Sequence, residues 1–159
     1  THDQIEAAKT FGKMDFIDAS RIAIWGWSYG GFMALNCMIA GGESVFKAGI
    51  AIAPVTDWRL YDSTYTERFM QTPQSNDNGY AAREIITKAG LVKGKLLLCH
   101  GTADDNVHIQ HSMLFIENMV KAGVDFEMQI YPNKNHSILG NETRLHLYRR
   151  FNKFLREEL

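Results

Sequence analysis

Four short apolar segments, each followed by a polar loop, divide the chain into similar units. Residues 21–26, 47–53, 95–100 and 126–131 are rich in aliphatic side chains and bounded by turn-forming residues, the mark of β-strands. Helical periodicity fills the intervals at 3–11, 30–40, 107–122 and 141–158. Within 107–122, Ile109, Met113, Ile116 and Val120 recur at helical spacing, and Gly123 ends the run. An irregular, partly helical excursion covers 56–90. Strands alternating with helices predict an α/β fold of about four parallel strands with helices on both faces. No internal repeat, low-complexity tract or linker interrupts it.

The join between the first strand and its helix carries the strongest chemical signal. Gly26-Trp27-Ser28-Tyr29-Gly30 is a Gly-x-Ser-x-Gly motif that follows the apolar run Ile22-Ala23-Ile24 and precedes Phe32-Met33-Ala34-Leu35. A strand–turn–helix context of this kind is that of a nucleophile elbow. The glycines on either side are expected to let strand and helix approach without Cβ clashes. Ser28 then stands above the sheet, and the amide of Tyr29 points into an oxyanion site at the helix start.

A serine hydroxyl needs a base to take its proton, so the reading demands a histidine and an acid further along. In α/β hydrolases these follow in the order acid, then histidine, on loops at the C-terminal ends of strands. Gly101-Thr102-Ala103-Asp104-Asp105-Asn106 leaves the third strand, and Pro132-Asn133-Lys134-Asn135-His136 leaves the fourth. Asp104 and His136 occupy the required positions; on spacing alone Asp105 competes with Asp104. His100 ends a strand and reads as structural. His108 and His111 open a helix, His146 lies on the last helix and His2 near the N-terminus. Trp58, Tyr61 and Tyr65 recur at spacings of three and four, which predicts one aromatic helix face. Core packing is the plain reading of that stripe. Beside the nucleophile strand, flat rings would also suit a compact, rigid, apolar side chain such as proline, so both readings stand at this point.

Composition narrows the alternatives. The 159 residues are 45% hydrophobic, enough for one domain with a real core, and 17 basic against 18 acidic residues give a net charge of −1. Interspersed charges of that kind suggest neither nucleic acid nor an anionic membrane as partner, and Arg149-Arg150 reads as part of a solvated helix face. No apolar run approaches the ~20 residues of a membrane span. Cys37 and Cys99 read as buried free thiols. No Cys/His cluster has zinc spacing and no Gly-rich loop has phosphate-binding form, so neither metal nor other cofactor is expected.

These motifs together carry a family resemblance. Gly26-Trp27-Ser28-Tyr29-Gly30-Gly31, Ala53-Pro54-Val55-Thr56-Asp57-Trp58 with Tyr61 to Arg68, and His100-Gly101-Thr102-Ala103-Asp104-Asp105-Asn106-Val107-His108 resemble the catalytic domain of the dipeptidyl peptidase IV branch of the prolyl oligopeptidase family. The resemblance runs from about Ile22 to the C-terminus. It implies Ser28 as nucleophile, Asp104 rather than Asp105 as acid, and His136 as base. It also implies a hydrogen bond from Asn106 to a substrate carbonyl, and a proline-sized pocket walled by Tyr29, Val55, Trp58, Tyr61, Tyr65 and Val107.

The implied substrates are peptides with proline or alanine at the second position, and the implied location is periplasmic, secreted or cell-surface. Ser137 departs from the glycine usual in the family, and the stretch from Asn78 to Gly90 also resembles prolyl tripeptidyl peptidases. An α/β-hydrolase sheet has more strands than the pattern shows. The expectation is therefore the C-terminal half of an α/β-hydrolase fold, residues 1–159 forming part of a peptidase catalytic domain. The other half, a second oxyanion donor and a β-propeller would lie upstream. Such a chain, taken alone, would expose a strand edge and self-associate. A carboxylesterase-type hydrolase and a non-catalytic structural module are the remaining alternatives.

Overall fold

The strand Lys95–Gly101 buries every residue after Lys95, because it lies inside a sheet covered on both faces. Leu96 and Leu98 enter one core, while Leu97 and Cys99 enter the other, as the two-residue period of a strand requires. The structure, a computed structural model, describes residues 1–40 and 45–159. In chain order the elements are α1 (His2–Phe11), β1 (Ala23–Trp27), α2 (Tyr29–Val45), β2 (Ala48–Ile52), α3 (Ser63–Met70), α4 (Asp77–Arg83), β3 (Lys95–Gly101), α5 (Gln110–Lys121), β4 (Glu127–Tyr131) and α6 (Asn141–Glu158). Short 3-10 turns occupy Trp58–Leu60 and Ile86–Leu91.

The four strands form one parallel sheet in the order β1-β2-β3-β4, the fold class expected from the alternating pattern. One core unites Phe32, Leu35 and Met38 of α2 with Leu96 and Leu98 and with Phe115 and Met119 of α5. The other sets Ile50, Ile52 and Leu97 against Leu147, Phe151 and Phe154 of α6. Each fully buried aliphatic or aromatic side chain here contributes about 1.5–3 kcal/mol relative to exposure. Among the described residues β1 forms an edge of the sheet, and Trp25 on it is 60% exposed. Also among the described residues, no helix is long and apolar enough to cross a membrane. Cys37 and Cys99 are buried free thiols, and burial pushes Cys99 up to about 12.

Three sequence expectations need correction. The first strand begins at Ala23, not 21, because the Asp18 carboxylate accepts from the Ser20 amide and from Arg21 Nε and holds 18–21 as a turn. The fifth helix begins at Gln110, not 107, since the Val107 amide donates to Asp104 Oδ1 instead of entering a helix. Its buried face is His111, Ser112, Phe115 and Met119, whereas Met113 and Val120 of the apolar spacing are exposed. The aromatic stripe is not one helix face. Asp57 caps the 3-10 turn at Trp58, and Asp62 then caps α3, so Trp58, Tyr61 and Tyr65 lie on successive pieces of chain.

Candidate active site

Ser28 sits between β1 and α2 with φ 61°, the left-handed backbone that an elbow imposes on a non-glycine residue. Two bonds hold it there: its amide donates to the Ile52 carbonyl at 2.8 Å, and its carbonyl accepts from the Phe32 amide at 3.0 Å. A Cβ on Gly26 would lie 2.1 Å from the Gly30 carbonyl oxygen, so the tight approach of strand and helix requires glycine at 26. A Cβ on Gly30 meets nothing within 4 Å, so the second motif glycine is not sterically required. Tyr29 is the first residue of α2, where backbone N–H groups have no intrahelical partner.

The loops after β3 and β4 are laced together. The Thr102 amide donates to the Tyr131 carbonyl at 3.0 Å, the Ala103 amide to the Lys134 carbonyl at 3.0 Å, and the Asn133 amide to Thr102 Oγ1 at 2.8 Å. Gly101 permits this approach, since a Cβ there would stand 2.2 Å from the Lys134 carbonyl oxygen. His136 Nδ1 and Asp104 Oδ2 are thereby brought to 2.8 Å, with Asp104 buried. Asp104 Oδ1 accepts from the amides of Asn106 at 3.0 Å and Val107 at 2.9 Å. Burial alone would raise the Asp104 carboxyl, but hydrogen bonds from His100 and His136 outweigh it and hold the group well below the usual carboxylate range. Asp105, the rival on spacing, is exposed.

Trp27 ties the elbow to the histidine loop, its indole N–H donating to the His136 carbonyl at 2.9 Å. Among the described residues no hydrogen bond joins the Ser28 hydroxyl to His136, a contact that commonly tightens only when substrate binds. Beside the serine the aromatic residues meet despite their separate backbone pieces. Trp58 stacks on Tyr65 at 6.1 Å and meets the edge of Tyr61 at 5.8 Å, and Tyr29 approaches Trp58 at 5.8 Å. Val55 and Val107 are buried beneath the surface. The Tyr61 hydroxyl donates to Asn106 Oδ1 at 2.7 Å, which couples the aromatic cluster to the acid loop. Burial, with Asp62 adding to it, pushes the Tyr61 phenol up, so the hydroxyl remains a donor.

Some residues around this candidate site escaped the sequence reading. Phe32, Phe69 and Arg83 join Tyr29, Trp58 and Tyr65 around a cleft of about 350 Å³. Phe32 and Phe69 extend the same helices by three and four residues, so helical spacing from Tyr29 and Tyr65 was an available signal. His111, fully buried, accepts from the Thr56 amide at 3.1 Å and pins the loop that leads to Trp58. His100, read as structural, stands 3.3 Å from Asp104 Oδ2.

This arrangement has close counterparts among known proteins. The sequence is 46% identical over 156 residues to the probable dipeptidyl-aminopeptidase B of Tuber melanosporum, covering 97% of this chain and 17% of that protein. It is 47% identical over 157 residues to the protein of the same name from Paracoccidioides lutzii, covering 98% and 17%. The crystal structure of Porphyromonas gingivalis dipeptidyl peptidase 4 superposes with a TM-score of 0.95 at 53% identity, over 99% of this chain and 22% of that one. The chain thus spans under a quarter of the length of the relatives it matches. The family model described as the prolyl oligopeptidase family matches residues 1–159, and with the α/β-hydrolase architecture in agreement, the chain belongs to the prolyl oligopeptidase family.

Proposed function

We propose that this chain carries the nucleophile, base and acid of a serine exopeptidase that releases N-terminal dipeptides with proline or alanine at the second position. The observation that carries the reading is the buried Asp104 hydrogen-bonded to His136, on a loop tied by Trp27 to the serine elbow. Ser28 Oγ attacks the carbonyl of the second residue while His136 takes its proton, and Asp104 keeps the imidazole oriented. The Tyr29 amide stabilises the oxyanion. His136 returns the proton to the departing amine, and water then releases the dipeptide by the same route. Asn106, oriented by Tyr61, donates its amide N–H to a substrate carbonyl. The ring of proline lies against the Tyr29, Trp58, Tyr61 and Tyr65 surfaces, with Val55 and Val107 supporting them from below.

The names of the relatives support the dipeptidyl class, and their greater length supports reading residues 1–159 as part of a larger catalytic unit. Mass spectrometry of products from an Ala-Pro-initiated peptide, incubated with the full-length protein, tests the reading. Release of the Ala-Pro dipeptide is expected; release of a tripeptide would assign the tripeptidyl class instead. A carboxylesterase reading leaves the aromatic cluster and the Tyr61–Asn106 bond without a role. The edge position of β1 and exposed Trp25 also support self-association of the 159-residue chain produced alone. Light scattering that gave a monomer mass would refute this.

A further inference from the structure

His100 is wholly buried at the end of β3, where an imidazole is costly unless both ring nitrogens find partners. Both do. Nε2 lies 2.8 Å from the Val107 carbonyl and 3.3 Å from Asp104 Oδ2, and Nδ1 lies 2.8 Å from Ser112 Oγ. The Val107 carbonyl can only accept, so Nε2 carries the proton. In the neutral ring Nδ1 is then an acceptor, and the buried Ser112 hydroxyl donates to it. The ring N–H therefore donates to a carbonyl of the acid loop, and the same nitrogen stands 3.3 Å from the carboxylate oxygen that faces His136.

We propose that His100 is a positioning residue for catalysis, acting through Asp104. The inference rests on the reading of Asp104 as the triad acid. Asp104 Oδ1 is already held by the Asn106 and Val107 amides, and among the described residues Oδ2 has His136 as its hydrogen-bond partner and His100 beside it. The buried His100 ring, its Nε2 3.3 Å from Oδ2, limits how the carboxylate can turn about its own axis. Through the Val107 carbonyl it also fixes the turn that supplies those two amides. Ser112, from the buried face of α5, fixes the tautomer that makes this possible. Strand end, acid loop and helix thus converge on one carboxylate.

The test compares His100→Gln with His100→Asn in the full-length protein, using a Gly-Pro-anilide substrate. Glutamine extends its amide nitrogen about as far as Nε2, and asparagine stops near Nδ1, so only the first keeps a donor at the acid loop that carries Asp104. Both put an amide in the core, and rates are normalised to the folded fraction from a thermal melt. The expected result is a kcat lower in His100→Asn by on the order of 10–100-fold, the scale of losing an orienting partner behind a catalytic group. KM should hardly change, and His100→Gln should recover most of the loss. In an Asp104→Asn background the two variants should be equal, because groups that act as a unit are not additive. Equal kcat values in the wild-type background, a loss confined to KM, or an undiminished difference without Asp104 would each overturn the proposal. Ser28→Ala in the same assay separates the two readings. If it still turns over substrate, the triad reading fails; if it is inactive while the His100 pair is flat, only the role of His100 fails.

Discussion

Replacing Gly26 by alanine tests the elbow at its tightest point. The added Cβ would stand 2.1 Å from the Gly30 carbonyl oxygen and 2.2 Å from its carbon, where ordinary van der Waals contact begins at 3.4 Å. Both obstacles are backbone, so no side-chain rotation relieves them, and strand or helix must yield by more than an ångström. Ser28 lies between the two, and a displacement of about 1 Å at a reacting group costs on the order of 10²-fold in rate. Overpacking should cost a further 1–3 kcal/mol or so in stability. Gly30→Ala is the control, since its Cβ meets nothing within 4 Å and a glycine-to-alanine change within a helix stabilises by about 0.5–1 kcal/mol. The assay is the rate of fluorophosphonate labelling at Ser28 in the full-length protein, with a thermal melt for each variant. Gly26→Ala should label about a hundred times more slowly, whereas Gly30→Ala should label normally and melt no earlier. Equal damage from both, or a silent Gly26→Ala, would refute the steric argument.

Four further outcomes follow from the site. Asp104→Asn should lower kcat by about 10⁴ by misorienting the imidazole, while Asp105→Asn, at an exposed position, should change it little; the reverse order would reassign the acid. Tyr61→Phe keeps the ring but loses the bond to Asn106, for an expected loss of about 3–10-fold in kcat/KM, the worth of one neutral hydrogen bond. A folded Tyr61→Ala/Tyr65→Ala double variant should lose its preference for proline, and unchanged preference would exclude the pocket. Burial pushes His111 down to about 4 from 6.5, so the unfolded chain binds a proton that the folded one refuses. Stability is then complete above pH 6.5 and falls as the pH drops towards 4, by about 3 kcal/mol. His111→Asn, which retains an acceptor for the Thr56 amide, should flatten that slope in calorimetry, and an unchanged slope would contradict the assignment.

The sheet and the site loops were legible in the sequence because their signals are local. A buried strand such as Lys95–Gly101 is a continuous apolar run, and a nucleophile elbow must fit a few residues into one sharp turn. The buried face of α5 was not legible, because two of its members, His111 and Ser112, are polar. They are at home in the core through partners such as Thr56 and His100, 55 and 12 residues away, which no periodicity reveals. His100 was read as structural for the same reason: its relation to Asp104 depends on the chain curling back after Gly101. The aromatic cluster shows the opposite case. Asp57 and Asp62 break the expected helix by capping, yet the rings of Trp58, Tyr61 and Tyr65 still meet, at 5.5 to 6.1 Å between centroids.

The central claim is that Ser28 is the nucleophile of a hydrolase, and one measurement reaches it most directly. The full-length protein is incubated with a fluorophosphonate, digested, and the modified peptide identified by mass spectrometry. The account predicts a single adduct on Ser28, formed together with loss of Gly-Pro-anilide turnover and absent from Ser28→Ala. An adduct on a different serine, or turnover that survives in Ser28→Ala, would contradict it.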